Sequence, residues 1–332
     1  MSDNLLNVDD LAVQFDPYGG TVQAVRGVSF QVDAGKTLAI VGESGCGKSV
    51  TVQSIMGLIP MPPGRITNGQ AHLRGIDILG QKSIDGKDIR GDQIGMIFQD
   101  PMTSLNPTMN VGSQIAETLI VHRGYTNKQA FKRAIELLEL SKIPEPDKRA
   151  KQYPFEFSGG MLQRAMIAMA IACEPAILIA DEPTTALDVT IQAQILDLLR
   201  DLKKKTGMAI ILITHDLGVV ARMADVVLVM YAGQIVETGS VDQIFYESAH
   251  PYTLGLRAAM PSNDPSGDNE LKPIDGSPPD LFNPPPGCGY CARCPFAMQI
   301  CQNEPPPYLN IHHTHAARCW LHHEANTRAI PE

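Results

Sequence analysis

The segment from Gly42 to Ser49 constrains the fold more than any other part of this 332-residue chain. It reads Gly-Glu-Ser-Gly-Cys-Gly-Lys-Ser, which matches the phosphate-loop pattern. The apolar run 38–41 precedes it, as expected of a buried parallel strand, and residues 50–58 contain no helix breaker before Gly57. Glycines let successive backbone N–H groups of such a loop turn inward on phosphates, and the following helix adds its positive end. The segment therefore predicts a strand–loop–helix unit of an α/β fold that binds a nucleoside triphosphate.

Individual residues of this loop have expected roles. Lys48 is expected to reach the β- and γ-phosphates of ATP, and Ser49 to place its hydroxyl on Mg²⁺. We interpret Cys46 as a small residue at a variable position, without a redox role. The predicted nucleotide-binding residues of the loop are Gly42, Glu43, Ser44, Gly45, Cys46, Gly47, Lys48, Ser49 and Val50.

Three further apolar runs end in polar side chains, and the ends of parallel strands meet at the ligand-binding edge of a sheet. Residues 176–180 lead to Asp181 and Glu182, residues 210–213 lead to His215, and residues 96–98 lead to Gln99. Asp181 is expected to hold Mg²⁺ through its water shell. Glu182 is expected to orient, or accept a proton from, the attacking water. His215 is a candidate for contact with the γ-phosphate, and Gln99 for a bond to Mg²⁺ or to the attacking water. With Lys48, these make up the predicted catalytic set.

The segment Ser158-Gly159-Gly160 resembles the signature of the ABC ATPase family, which usually reads Leu-Ser-Gly-Gly-Gln. Here Phe157 and Met161 stand at its two ends, so the Ser-Gly-Gly centre is intact. The resemblance implies that Ser158 and the amides of Gly159 and Gly160 bind the γ-phosphate of ATP held by a partner subunit. Independently, Ser158 reads as the N-cap of a helix over 161–173, whose positive end would face that phosphate.

The resemblance to this family covers residues 5–245 and narrows at two further segments. Asp188, in Ala186-Leu187-Asp188, matches the family's D-loop, which couples two ATP sites across a dimer. Residues 98–107 and 250–253 resemble the dipeptide and oligopeptide permease ATPase subunits. That resemblance implies an ATPase that powers import of dipeptides or oligopeptides from the cytoplasmic face of the cell inner membrane. It also implies a second, related ATPase subunit as a heterodimer, two integral membrane permease subunits and, indirectly, a peptide-binding protein.

Charge and hydropathy agree with a peripheral protein. The net charge is −9, which is unlike the basic footprint of a nucleic-acid-binding protein, so no nucleic-acid partner is expected. The longest apolar stretch, residues 166–180, is broken by Glu174-Pro175 and is too short to span a membrane. The N-terminal Met-Ser-Asp-Asn lacks the basic region of a signal peptide. Any membrane contact is therefore expected to come through a partner.

The length predicts one large and one small domain. We expect an ABC ATPase domain over 1–245, containing a mostly parallel sheet, an N-terminal antiparallel sheet and an inserted helical subdomain at about 100–165. A small C-terminal permease-type domain with a cysteine cluster is expected over 246–332. Tyr18, between two strands of alternating hydropathy, is the candidate for stacking on adenine, with Phe15 second. Thr126 and Gln129 have the spacing of a capping box.

Five of the seven cysteines follow residue 287: Cys288, Cys291, Cys294, Cys301 and Cys319. A cytosolic location argues against disulfides, and the region has too little aliphatic content to fold without a staple. Two metal centres fit the residue types: zinc with four thiolates or with three thiolates and a histidine, and a 4Fe–4S cluster. His312, His313 and His315 offer nitrogen ligands. Some permease ATPase subunits that this chain resembles carry a 4Fe–4S centre on cysteines spaced like Cys288, Cys294, Cys301 and Cys319, and Cys291 is extra to that spacing. The cluster is favoured over zinc because the spacing lacks the paired C-x₂₋₄-C segments usual for structural zinc, and free thiols in a loose tail are the remaining alternative.

Two other functions use the same motifs. A soluble ABC ATPase acting on nucleic acid or ribosomes would have either a coiled-coil insertion or two ATPase cores. Residues 58–157 show no sustained heptads, and the chain has one core. A metal- or redox-sensing regulator would use the cysteine tail. The peptide importer is the favoured function.

Overall fold

The computed structural model describes residues 4–79, 89–185, 187–260 and 273–326. In these ranges the strands are β1 Asn4–Phe15, β2 Val22–Asp33, β3 Thr37–Val41, β4 Gly64–Leu73, β5 Ile76–Asp77, β6 Ile94–Ile97, β7 Ile177–Asp181, β8 Ala209–Thr214, β9 Val226–Tyr231, β10 Gln234–Ser240, β11 Tyr308–His312 and β12 His315–Arg318. The helices are α1 Lys48–Ile55, α2 Pro101–Ser104, α3 Val111–Arg123, α4 Asn127–Leu140, α5 Pro146–Arg149, α6 Gly159–Ala170, α7 Val189–Thr206, α8 Leu217–Met223, α9 Val241–Tyr246, α10 Pro251–Ala258 and α11 Gln299–Asn303.

The chain divides into two compact units. Of the described residues, the first unit contains 4–6, 32–37, 72–79, 89–185 and 187–213, and the second contains 7–31, 38–71, 214–260 and 273–326. The predicted boundary at 245/246 stays a prediction.

Parallel strands form the centre of the first unit. β6 pairs with β7, and β7 pairs with β8, both in parallel register. All residues of β6 and β7 are buried, which explains why these strands read as continuous apolar runs. Parallel neighbours end at the same edge, so this pairing brings the residues after Ile97 close to those after Ala180.

Helices α3, α4 and α6 pack against one another in the same unit. The predicted capping box is confirmed, since Thr126 and Gln129 bond each other's backbone at the start of α4. The helix predicted over 161–173 is found at Gly159–Ala170. It begins directly after Ser158 because that side chain caps it, and it ends at Ala170.

In the second unit a mixed sheet carries the phosphate loop. β3 pairs in parallel with β9, and β9 pairs antiparallel with β10. The C-terminal hairpin of β11 and β12 extends this sheet, because β12 pairs antiparallel with β10. The strand order β2-β1-β4 forms the N-terminal sheet, and β5 pairs antiparallel with the end of β4.

The core of the second unit joins the sheet to the C-terminal region. Its aliphatic part includes Val41, Val227 and Val229, and its aromatic part is a cluster of three tyrosines from separate segments. The ring centroids of Tyr231 and Tyr252 are 4.5 Å apart, and Tyr290 packs edge-on against Tyr231 at 5.2 Å. The C-terminal region is therefore stabilised by a shared core and a shared sheet, and the structure does not confirm an independent cysteine-rich module. No helix in the described ranges has both the length and the apolar character needed to cross a membrane.

Candidate functional site

The phosphate loop connects β3 to α1, as the sequence predicts. Gly42 has a φ of 152° and Gly47 a φ of 101°. A Cβ atom at Gly42 would lie 2.2 Å from the carbonyl oxygen of Met230, and one at Gly47 would lie 2.4 Å from that of Ala24. Only glycine satisfies both the backbone conformation and this close approach. The pattern glycines thus serve to fold the loop tightly over its own sheet.

Lys48 extends back over the loop and is almost fully buried. Its Nζ donates hydrogen bonds to the carbonyl oxygens of Gly42 at 2.8 Å and Glu43 at 3.0 Å. Ser44 and Gly45, at the tip of the loop, are exposed. Cys46 is buried, and burial raises the pKa of its thiol while nearby Lys48 opposes this shift. The thiol is therefore neutral at pH 7, in keeping with a filler role.

Glu43 makes the densest contacts of the loop. Its backbone N–H donates to the hydroxyl of Tyr252 at 2.9 Å. Its carboxylate accepts two hydrogen bonds from the guanidinium of Arg293, at 2.8 and 3.0 Å. Sequence reasoning gave no role to Tyr252 or Arg293. Tyr252 lies in a segment that had served only to narrow the family resemblance.

In the first unit, Asp181 and Glu182 stand at the end of β7, as expected. Asp181 is buried and Glu182 is half-buried. The carboxylate of Glu182 accepts hydrogen bonds from Gln99 Nε2 and from Thr185 Oγ1, each at 2.9 Å. Glu182 has a φ of 46°, a left-handed conformation that costs a side-chain-bearing residue on the order of 1–3 kcal/mol and is concentrated at functional sites. The structure thus brings Gln99 and Glu182 together and adds Thr185, which no pattern had indicated.

The signature segment lies at the start of α6. Ser158 and Gly159 are exposed, and Ser158 Oγ accepts a hydrogen bond from the backbone N–H of Met161 at 3.4 Å. A Cβ at Gly159 would meet nothing within 4 Å. Asp188 caps α7 by accepting from the N–H of Ile191 at 2.9 Å. Ala186, in the predicted D-loop, lies outside the described residues.

Two predicted ligand residues occupy the surface of the second unit. His215 is exposed directly after β8, next to Asp216, which caps α8 through the N–H of Gly218 at 2.7 Å. Tyr18 is fully exposed in the turn between β1 and β2. An exposed ring is available for stacking, so its assignment to adenine stays a prediction.

The predicted metal centre in the cysteine tail is wrong. The five cysteines line one cavity of about 10 Å³, which is about the room that one water molecule needs. With no metal bound, burial raises the pKa of Cys288 and Cys319 to about 12 and that of Cys294 to about 11, so these thiols are neutral at pH 7. In the described ranges no group of three or more His, Cys, Asp or Glu side chains could hold a metal ion. This overturns the iron–sulfur cluster on Cys288, Cys294, Cys301 and Cys319 as well as the zinc alternative.

A buried polar network, and not a metal centre, links segments of the C-terminal region. Glu237 is fully buried, and its carboxylate bonds His315 Nε2 at 2.8 Å and the N–H groups of Ala249 and His250 at 2.7 and 2.9 Å. His315 was a candidate metal donor, and it packs here against a carboxylate instead. Burial lowers the pKa of His250 to about 4, so its imidazole is neutral, and its Nδ1 caps α10 by accepting from Tyr252 N–H at 3.0 Å.

Comparison with known proteins matches both the ATPase region and the C-terminal region of the chain to families of transport proteins. The ABC transporter family model matches residues 25–185, and the model of the oligopeptide/dipeptide transporter C-terminal region matches residues 236–301. The chain is 59% identical to the oligopeptide transport ATP-binding protein OppD of Bacillus subtilis, over 98% of this chain and 91% of that protein. It is 54% identical to the dipeptide transport ATP-binding protein DppD of the same organism, over 99% of this chain and 98% of that protein.

Among solved structures, the fold resembles the ATP-binding cassette MJ0796 in a dimeric post-hydrolysis state bound to ADP and Pi. The TM-score is 0.64 at 27% identity, covering 71% of this chain and 98% of that one. The names of these relatives refer to ATP binding and transport, so they do not favour a soluble ATPase acting on nucleic acid or ribosomes. The chain belongs to the family of ATP-binding subunits of oligopeptide and dipeptide ABC transporters, and it is the ATPase subunit of a peptide importer.

Proposed function

We propose that Glu182 positions the water that attacks the γ-phosphate of ATP. The observation that carries this proposal is the pair of donors, Gln99 and Thr185, that fix its carboxylate at the end of β7. An ionised carboxylate only accepts hydrogen bonds, so donors that fix its position also fix where a water molecule can donate to it. Its neighbour Asp181 is the second carboxylate at this strand end.

Mg²⁺ fits the residues proposed for it by chemistry. It prefers oxygen ligands, keeps several waters, and is bound through one or two carboxylates together with substrate phosphates. Asp181, the hydroxyl of Ser49 and the amide oxygen of Gln99 supply such oxygens. Gln99 donates to Glu182 through its amide nitrogen, so its amide oxygen is the atom that can act as a metal ligand. When bound, the ion neutralises charge on the phosphates.

The other ATP contacts follow from the loops already described. The backbone from Gly42 to Val50 cradles the phosphates, Lys48 pairs with the β- and γ-phosphates, and His215 contacts the γ-phosphate. Tyr18 stacks on adenine. Exposure supports the roles of Tyr18 and His215, and the place of Lys48 at the start of α1 supports its role.

The signature residues serve ATP held by another subunit. The start of the 12-residue helix α6 is exposed at Ser158 and Gly159, so its positive end is available to an anion from outside the chain. The dimeric arrangement of the related cassette supports a dimer, and Asp188 lies in the loop that would couple its two sites. We infer a second, related ATPase subunit as the partner.

The assembly follows from the transport function. Two integral membrane permease subunits form the path for peptides, and a peptide-binding protein acts indirectly through them. The chain is then a peripheral protein of the cytoplasmic face of the inner membrane. Full-length tagged chain should co-purify from detergent extracts with integral membrane proteins and a second ATPase. Recovery only with ribosomes or nucleic acid would contradict the proposal.

The catalytic assignment is tested in that co-purified complex. Glu182→Gln should lower ATP turnover roughly 10²-fold or more while ATP binding is retained, because Mg²⁺ and phosphate contacts remain. Thr185→Val, which removes one of the two donors to Glu182, should have a smaller effect in the same direction. Glu174→Gln is the matched control, since Glu174 pairs with Arg133 on the exposed surface of the same unit. Near-normal turnover of Glu182→Gln would refute the assignment.

A further inference from the structure

A hydrogen-bonded ion pair joins Glu43 of the phosphate loop to Arg293, 250 positions further along the chain. Arg293 uses all five of its N–H donors. Two go to the carboxylate of Glu43, at 2.8 and 3.0 Å, and one goes to the hydroxyl of Tyr231 at 3.2 Å. The remaining two go to the carbonyl oxygens of Asp275 at 2.9 Å and Ile274 at 3.1 Å. This fixed fork joins the loop, the end of β9 and the segment after residue 273.

The ion pair is shielded from water at Arg293 and partly exposed at Glu43. The side chain of Arg293 is 6% exposed and that of Glu43 is 24% exposed. Two parallel hydrogen bonds between a guanidinium and a carboxylate add directional specificity to the charge attraction. Removing one partner of such a pair leaves the other charge buried without compensation, which costs more than the pair itself contributes.

The backbone of Glu43 is held at the same point. Its N–H donates to Tyr252, and its carbonyl oxygen accepts from Lys48 Nζ. Glu43 therefore links the C-terminal region on one side to the phosphate-binding lysine on the other. A shift of Glu43 would move the carbonyl that holds Lys48.

The same C-terminal segment reaches a second loop of the second unit. The carbonyl oxygen of Leu281 accepts from Gln23 N–H at 2.9 Å. The ring of Phe282 lies 3.2 Å from where a Cβ of Gly20 would stand. Gly20 belongs to the turn that carries Tyr18, the candidate for adenine stacking. Residues 274–293 therefore contact both the adenine-side turn and the phosphate loop.

We propose that residues 274–293 position the nucleotide site of their own chain, with Arg293 acting through Glu43 to fix the phosphate loop. Arg293 is a positioning residue, because it contacts Glu43 and not the reacting atoms. The inference rests on the proposed binding of ATP by this loop. It gives the cysteine-rich segment a role at the ATP site that requires no metal.

The test compares ATP affinity, KM and kcat of four variants in the full-length chain in its co-purified complex. Arg293→Met should weaken ATP binding by about 10-fold and raise KM, with a much smaller change in kcat, because the unpaired carboxylate of Glu43 displaces the loop and repels phosphate. Arg293→Lys keeps the charge and should recover part of the loss. Glu43→Gln leaves the charge of Arg293 uncompensated, but the glutamine oxygen can still accept a hydrogen bond and a cation does not repel phosphate, so ATP affinity should fall less than in Arg293→Met.

The double variant Arg293→Met/Glu43→Gln decides the mechanism. It should bind ATP more tightly than Arg293→Met alone, because the uncompensated charge is gone and residues in direct contact are non-additive. Additive losses in the double variant would overturn the proposal. So would an unchanged ATP affinity in Arg293→Met.

Two controls separate this inference from its premises. Arg318→Met removes another arginine of the C-terminal region, one that stacks on Tyr308 with its guanidinium carbon 5.3 Å from the ring centroid. A KM change equal to that of Arg293→Met would mean a merely structural effect and overturn the proposal. Lys48→Ala should abolish ATP binding. If it does not, the proposed function of the loop fails. If it does while Arg293→Met behaves as wild type, only the positioning role fails.

Discussion

The phosphate loop and the cysteine-rich segment are each marked by one recurring residue, glycine in the first and cysteine in the second, and they differ in what that residue needs. Glycines at 42 and 47 act through their own backbone, whose positive φ angles are set inside one turn of chain, and their lack of a side chain lets the loop approach Met230 and Ala24 of other strands. The cysteines of 288–319 would act together only if packing left space between them and allowed deprotonation. Packing leaves about 10 Å³ and neutral thiols.

The difference shows that residue spacing predicts a site well when backbone groups form it, and poorly when side chains from separate segments must form it. A loop that binds phosphate with N–H groups carries its ligands in consecutive residues. A metal centre requires space, charge and orientation, and distant segments supply all three. In the second unit, His250, Tyr290 and Trp320 line the cysteine cavity.

The largest test of this comparison is Gly47→Ala. Alanine would be strained at a φ of 101° and would place its Cβ 2.4 Å from a backbone carbonyl oxygen, so the loop must move. We expect ATP affinity to fall by at least about 10²-fold, since strain of about 1–2 kcal/mol and the clash act together. Equilibrium binding of a fluorescent ATP analogue measures it.

Gly45→Ala is the matched control for that variant. Its φ is 79°, but a Cβ there meets nothing within 4 Å, so strain acts without a clash. Its loss of affinity should be clearly smaller. Equal affinities for Gly47→Ala and Gly45→Ala would show that close approach does not decide the fold of the loop.

The next effect concerns the polar network of the C-terminal region and pH. The folded pKa of His250 is about 4 and its ordinary value is 6.5, because burial penalises the charged ring; His322 adds to this shift and Glu237 opposes it. The unfolded chain therefore binds a proton that the folded chain does not as pH falls below 6.5. Stability present above pH 6.5 should decrease by about 2 kcal/mol by pH 5.

Urea unfolding of wild type and His250→Asn at pH 7.5 and 5 isolates this contribution. Asparagine keeps an oxygen that can cap the N–H of Tyr252, and it does not titrate. Between pH 7.5 and 5, the free energy of unfolding of the variant should therefore fall by about 2 kcal/mol less than that of the wild type. Other carboxylates titrate equally in both proteins. An identical pH dependence in the two proteins would show that His250 does not contribute to the pH dependence of stability.

The smallest effect is expected from the cysteines themselves. Cys319→Ala removes one buried sulfur and should lower the free energy of unfolding by about 1 kcal/mol, with ATP affinity little changed. Anaerobically purified wild type should contain neither stoichiometric iron and sulfide nor zinc. Finding such a metal, lost in Cys319→Ala, would reverse the contrast between the two regions.

Much of the ATP site was predictable because its determinants are local. The sequence alone indicated the strand–loop–helix around Lys48, the strand ending at Asp181 and Glu182, and the cap at Ser158. Each depends on residues within a few positions, whose periodicity, caps and breakers act before any long-range contact forms. These features also determined the family.

Contacts between distant residues were decided only by the tertiary structure. Arg293 on Glu43, Thr185 and Gln99 on Glu182, and His315 on Glu237 join positions that no periodicity relates. Whether a buried polar group finds a partner, and whether thiols enclose a metal or a void, depends on how separate segments exclude water together. Local pattern fixes the residues that are available, and packing fixes which of them meet.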